Sequence, residues 1–234
     1  MNKEEFILYC KKNNIKIDKI TIENLEEYKN SLKEWNKKFN LTSIIEDNDI
    51  YLKHFFDSIF ISKYFDFNNK NICDFGTGAG FPGMILAIFY RNSKVTLIES
   101  NGKKVNFLNE IKNKLKLENV TIINDRIENY AKNNREIFDI VTCRAVSNLS
   151  IILELSVALL KINGIFIPMK SNVENELIKS NRLLDTLGYS FVKKIEYELP
   201  FENSKRTILK YLKNKKTEDK YPRNYSIIKK QASK

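Results

Sequence analysis

Apolar residues recur at two different periods along this chain, and the period changes near residue 70. In the stretch TIENLEEYKNSLKEWNKKFN, Ile22, Leu25, Tyr28, Leu32, Trp35 and Phe39 are spaced by threes and fours. Such spacing lays one apolar stripe along a helix face. Thr21 is placed to cap that helix with its hydroxyl. After a polar break, EDNDI, the positions Leu52, Phe56, Ile59 and Phe60 predict a second amphipathic helix with an aromatic, core-facing side. Residues 1–68 therefore read as a helical extension.

Beyond residue 70 short β-like runs take over: NICDF, KVTLIE, VTII, FDIVTCR, GIFIPM, YSFVKKIEYEL and RTILKYL. Helical patterns lie between most of them, among them GKKVNFLNEIKNKLKL and LSIILELSVALLK. This alternation predicts an α/β fold, a doubly wound and mostly parallel seven-stranded sheet covered on both faces. The last two runs are joined by PFENSK and not by a helix, so they are expected to pair antiparallel at the end of the sheet. The expected division is an extension over 1–68, a main domain over 69–212 and a basic tail over 213–234.

Composition narrows the class. At 234 residues the chain is long enough to bury a core without disulfides or metals. No apolar run approaches the roughly 18 residues of a membrane helix, and MNKEEFILYC is acidic where a signal peptide would be basic. Cys10, Cys73 and Cys143 lack C-x-x-C spacing, which argues against a disulfide framework or a zinc site. The expectation is a cytoplasmic protein that uses no metal. Its formal net charge of +11 is uneven: residues 205–234 hold eleven Lys or Arg against Glu218 and Asp219, leaving +2 for the other 204 residues. A concentrated basic end predicts a polyanion-binding segment, nucleic acid first, with a merely solvated surface as the alternative.

Chemistry concentrates in NICDFGTGAGFPGMILAI. Four of the seven glycines, Gly76, Gly78, Gly80 and Gly83, fall within eight positions after the first strand. In open α/β sheets this is where ligands approach the backbone, at the carboxyl ends of the strands. Pro82 fits the first turn of the helix that follows. Gly78, Gly80 and Gly83 satisfy G-x-G-x-x-G, a dinucleotide pattern. From Asp74 the same run reads as an acidic residue followed by G-x-G-x-G, which resembles the first motif of class I S-adenosylmethionine-dependent methyltransferases. Glu99, ending the next strand, suits ribose hydroxyls under either reading. Tyr189 and Lys193 have the spacing of a short-chain dehydrogenase pair, but YSFVKKIEYEL reads as a strand where that pair needs a helix.

The order of GTGAGFPGMILAI, ESNGKKVNFL, DRIENY, FDIVTCRAVSNL and IPMK resembles the bacterial small-subunit ribosomal RNA guanine-N7 methyltransferases, the glucose-inhibited division protein B family. WNKKFNLTSI and HFFDSI resemble its N-terminal motifs, and YPR its C-terminal one. The resemblance implies the class I, Rossmann-like methyltransferase fold and S-adenosyl-L-methionine as cofactor. It implies cofactor contacts at Gly76, Gly78, Phe81, Glu99, Ile127, Glu128 and Arg144. It also implies RNA contacts at Lys170 and Arg223, and as substrate a guanine in the 530-loop region of 16S ribosomal RNA, naked or in a small-subunit precursor particle. A monomer is expected. Two departures stand out: Glu99 replaces the Asp of many members, and NYSIIKK follows YPR where the family has a Gly-Pro-containing lysine segment.

Guanine N7 is already a lone-pair acceptor, so its methylation needs no general base. None is evident here, and Arg144 enters as a positioning residue. A charged residue ending an apolar strand needs an anion, which the cofactor carboxylate or an RNA phosphate would supply. His54, the only histidine, reads as a hydrogen-bonded structural residue on an aromatic helix. Two other readings remain open: an RNA-binding protein without cofactor, and a small-molecule methyltransferase. Asp74, the glycine turn and Glu99 together speak against the first, the basic end against the second. Gly78→Val is expected to abolish cofactor binding in calorimetry, because a β-branched residue resists the turn. Unchanged affinity, or binding of a nicotinamide nucleotide in its place, would refute the assignment.

Overall fold

The structure, a computed structural model, describes residues 1–171, 173–202 and 204–232. It opens with α1 (Lys3–Lys12) and α2 (Lys19–Phe39). A continuous helical run over 47–63 follows: α3 (Asp47–Asp49), a π-helical segment (Ile50–Phe56), α4 (Asp57–Ile59) and a 3₁₀ turn (Phe60–Lys63). Then come β1 (Asn71–Phe75), α5 (Gly83–Phe89), β2 (Lys94–Glu99), α6 (Gly102–Lys114), β3 (Val120–Asn124) and α7 (Ile127–Asn133). The rest is β4 (Phe138–Arg144), α8 (Leu149–Val157), β5 (Leu160–Lys170), α9 (Glu174–Asn181), α10 (Leu184–Leu187), β6 (Tyr189–Glu198), β7 (Lys205–Lys213) and α11 (Tyr225–Ala232).

The seven strands form one sheet in the order β3-β2-β1-β4-β5-β7-β6. β1 to β5 run parallel, and β7 pairs antiparallel with both β5 and β6. The two final strands do pair antiparallel, with the later one inserted inside. Composition explains the swap. RTILKYL is buried along most of its length, whereas YSFVKKIEYE is largely exposed and brings Lys193 and Lys194 to the edge, where charge discourages further strand pairing.

Period-two alternation divides the core. Ile72 faces a cluster shared with Leu25, Tyr28, Phe55, Phe56 and Leu108, while Cys73 and Phe75 face one shared with α8. The helical extension thus covers the same sheet face as α5 and α6. One detail of its entry differs from the sequence expectation. Asp18, not Thr21, caps α2, accepting the Thr21 amide at 2.7 Å. Thr21 itself is buried, and its hydroxyl accepts from Arg91 at 2.9 Å. Among the described residues no helix is long and apolar enough to cross a membrane.

The basic end is folded over its described residues, which run to Ala232. Lys213 is fully buried in β7. Its ammonium donates to Glu136 Oε1 at 2.8 Å and to the carbonyls of Val157 and Leu160 at 3.0 and 2.7 Å. Burial holds its pKa below the usual lysine value. Thr217, Tyr221 and Ile228 are buried further along, and Arg135 donates to the carbonyls of Thr217, Glu218 and Tyr221. Lys234 lies outside the described residues. Lys213→Ala would strand Glu136 and two buried carbonyls, at a cost of about 3 kcal/mol, a Tm drop of roughly 6–12 °C for a chain of this size. Thermal and chemical unfolding measure this, and a loss below about 1 kcal/mol would mean that the ammonium is dispensable.

Candidate active site at the strand switch point

Strand order reverses between β1 and β4, so a crevice opens beyond their carboxyl ends. Gly76 follows β1 there, with its amide on the Ile98 carbonyl at 2.8 Å. Gly76 has φ 61°, and a Cβ on it would lie 2.8 Å from Val146 Cγ2. Val146 is brought close because Ala145, just after β4, adopts φ 55°, a left-handed turn that costs a non-glycine residue about 1 kcal/mol. A Cβ on Gly78, at φ 64°, would meet only Lys104 Nζ at an ordinary 4.0 Å, so its constraint is the backbone turn. A Cβ on Gly80 would overlap the Tyr28 hydroxyl.

Asp74 supports the turn from beneath. Its Oδ2 accepts the Thr77 hydroxyl at 2.6 Å and the Gly83 amide at 2.7 Å. Its Oδ1 is buried without a partner, and burial pushes the carboxyl pKa up to about 7. The extension clamps the same turn from the side. Tyr28, fully buried, donates to the Ala79 carbonyl at 2.5 Å and stacks on Phe81 at 5.5 Å. His54 stacks on Phe81 at 4.2 Å.

A cavity of about 150 Å³ opens beside the turn, with Gly76, Ile98, Ile127, Glu128, Leu155 and Tyr225 in its wall. Glu99 lies beneath the turn, accepting the Gly78 amide at 2.9 Å and the Asn101 amide at 2.8 Å. Each carboxylate oxygen keeps a further lone pair, an acceptor to which a ribose hydroxyl can donate. Of the residues implied to contact the cofactor, Gly76, Ile127 and Glu128 line this cavity, while Gly78 and Glu99 are bonded to each other in the adjoining turn. The Phe81 side chain does not enter this wall; its ring sits between His54 and Tyr28.

On the other side of Val146 lies a second cavity, about 620 Å³, walled by Lys53, Arg144, Lys170, Arg206, Asp57 and Glu176 among others. Arg144 faces it, and the chain itself supplies an anion for the guanidinium. The guanidinium donates through Nη1 to Asp57 Oδ2 and to the Lys53 carbonyl, both at 2.8 Å, and through Nη2 to His54 Nδ1 at 3.2 Å. Asp57 is thus a carboxylate partner that the sequence did not announce. The π-helical register contributes: the Asp57 amide bonds the Leu52 carbonyl, five residues back, and not that of Lys53. Asp57 also accepts the Tyr197 hydroxyl at 2.6 Å.

Because guanidinium only donates, His54 Nδ1 is the acceptor and its proton sits on Nε2, donated to Thr42 Oγ1 at 3.0 Å. Both ring nitrogens are committed, as the structural reading of His54 requires. Lys170 lines the second cavity, its ammonium on the Ser147 carbonyl at 2.7 Å and Glu176 at 2.8 Å. Arg223 lies outside both cavities, and its Nε donates to buried Glu154 at 2.8 Å. Sequence reasoning missed Tyr28, Asp57, Tyr197 and Tyr225. Asp57 carried a signal, a lone carboxylate among the aromatics of HFFDSI; the others read only as core or tail. Among the described residues no group of three or more His, Cys, Asp or Glu is placed to hold a metal ion.

The family described as rRNA small subunit methyltransferase G matches residues 21–217. The chain belongs to this family. A Fusobacterium nucleatum protein called Ribosomal RNA small subunit methyltransferase G is 43% identical over 213 residues, 91% of this chain and 92% of that protein. One of the same name from Bacillus thuringiensis is 43% identical over 227 residues, 95% of each. Solved structures share the architecture at low identity. A SAM-dependent methyltransferase from Aquifex aeolicus superposes with TM-score 0.56 at 16% identity, over 74% of this chain and 97% of that one. M. jannaschii TYW2 in complex with AdoMet gives TM-score 0.52 at 18% identity, over 62% and 69%. The fold is that of class I S-adenosylmethionine-dependent methyltransferases, with an N-terminal helical extension.

Burial, reinforced by the Arg144 charge, lowers the His54 pKa from 6.5 to about 3. Between those values the unfolded chain binds a proton that the folded protein refuses. The associated stability is complete above about pH 6.5 and is lost as pH falls toward 3. Asp74 works in the opposite sense: its folded carboxyl keeps a proton up to about 7, against 3.8 unfolded, so its contribution declines as pH rises across that interval. His54→Gln is expected to lower stability at neutral pH yet flatten the loss on acidification. Urea unfolding across this range checks it; parallel curves for the two proteins would show that His54 is charged when folded.

Proposed function

We propose that this protein, a cytoplasmic monomer, methylates N7 of a specific guanine in the 530-loop region of 16S ribosomal RNA, on the RNA or on a small-subunit precursor particle. In this reading the extension over 1–68 and the main body over 69–212 act as one unit, with the described part of the basic tail, 213–232, folded onto it. The methyl donor is S-adenosylmethionine, whose sulfonium supplies an electrophilic methyl group. The residues present fit it. Gly76 borders the smaller cavity with its bare backbone, and Glu99 offers acceptors for ribose hydroxyls. Ile127 and Glu128 flank the wall where the adenine would lie.

One observation carries the reading: two cavities meet at Val146, across the switch point. The smaller suits a nucleoside. The larger brings four cationic side chains against two acidic ones, Asp57 and Glu176, the balance a nucleotide's phosphates favour. A guanine held there would face the glycine turn past Val146, so the chain's task is to align two reactants and exclude water. No proton has to leave N7 before attack. The geometry agrees, since His54 has both nitrogens engaged and Asp57 is bound to Arg144 and Tyr197. Arg144 positions the wall of the larger cavity.

Replacing the target guanine by 7-deazaguanine is expected to abolish methyl transfer while leaving RNA binding intact, as read with methyl-labelled cofactor. Continued labelling would place the chemistry on another atom. Arg144→Lys, which keeps the charge but loses the fork, is expected to slow transfer by up to about a hundredfold through misplacement of the wall. A wild-type rate in that variant would remove Arg144 from the mechanism.

A further inference from the structure

The C-terminal segment holds a residue that neither charge nor motif singled out. Tyr225, the first residue of α11, stands in the wall of the smaller cavity with Gly76, Ile127 and Glu128. Arg126 bolts it there. The Arg126 guanidinium lies 5.0 Å from the centre of the Tyr225 ring, while its Nε donates to Glu128 Oε1 at 2.7 Å. Glu128 is buried, so the chain of contacts starts from a fixed point.

The helix that presents the ring is anchored on both sides. Just before it, Arg223 forks onto Glu154, a carboxylate only 2% exposed, through Nε and Nη2, and its amide adds a third bond at 3.0 Å. One turn after Tyr225, Ile228 is buried against the α8 side of the core. Tyr225 is therefore held in place by its neighbours and does not ride on a loose arm. It also lies in the stretch NYSIIKK, where this sequence departs from the segment expected after YPR.

Resting on the reading above, we propose that Tyr225, held by Arg126, is a cofactor-binding residue that closes the nucleoside cavity with α11 and stacks on the purine of the methyl donor. An aromatic ring and a guanidinium in the wall of a cavity that also presents Ile98, Ile127 and Leu155 supply the π surface that a purine prefers. The C-terminal segment thereby serves the cofactor as well as any RNA.

Titration calorimetry with S-adenosylhomocysteine on the full-length protein tests this. Tyr225→Ala is expected to weaken binding about tenfold, the scale of one lost base–aromatic stack, and Tyr225→Phe to restore it. Arg126→Ala is expected to fall between them. In steady-state assays the Tyr225→Ala loss should appear in KM for S-adenosylmethionine and not in kcat at saturation. S-adenosylhomocysteine affinity within twofold of wild type in Tyr225→Ala would overturn the proposal. So would a loss confined to rRNA affinity, which would assign the ring to the substrate, or a Tyr225→Phe as weak as Tyr225→Ala, which would assign the effect to the hydroxyl. If wild type itself fails to bind S-adenosylhomocysteine, the methyltransferase reading fails first and this one with it.

Discussion

The pair of half-buried Arg144 and buried Asp57 is the contact on which the arrangement of this site depends. Taking a guanidinium and a carboxylate out of water costs several kcal/mol per ion, and only satisfied hydrogen bonds offset it. Here the offset is drawn from three parts of the chain. β4 supplies the arginine, the helical run over 47–63 supplies Asp57 and the Lys53 carbonyl, and β6 supplies Tyr197. Arg206 of β7 adds a longer contact at 3.7 Å. The π-helical register, the His54 tautomer and the wall of the larger cavity are all consequences of satisfying that one pair.

The same geometry makes the helical extension part of the cofactor turn. Phe81 is gripped between His54 and Tyr28, while the Tyr28 hydroxyl holds the Ala79 carbonyl. A glycine-rich turn has little intrinsic preference for one conformation. Its shape is imposed here by rings from another element, with Asp74 fixing the base through Thr77 and Gly83. Precision at the site thus originates in residues that never border the smaller cavity.

Much of the fold was legible because its signals are local. Period-two runs located every strand of the sheet, and β3 to β7 differ from their predicted spans by a few residues at most, with β5 starting earliest, at Leu160. The cap of α2 was misplaced because Asp18 and Thr21 are both good caps three residues apart, and only the burial of Thr21 separates them. The glycine turn, Glu99 and Glu128 were legible from motif order. The partner of Arg144 was not. A strand end announces that a charge needs an anion, yet the identity of that anion is a tertiary fact linking positions 57 and 144. Net charge at the C-terminal end is blind in the same way: it counts Lys213 and Arg223 without registering that Glu136 and Glu154 pair with them.

These contacts impose an order on synthesis. Asp57 emerges from the ribosome 87 residues before Arg144 and 140 before Tyr197. Until both arrive, the helical run over 47–63 can bury its aromatic face only by stranding a carboxylate. Long-range closure of this kind raises contact order and delays the final collapse. The extension made first is therefore completed late, and the protein acquires its catalytic cleft only when nearly all of its own translation is done.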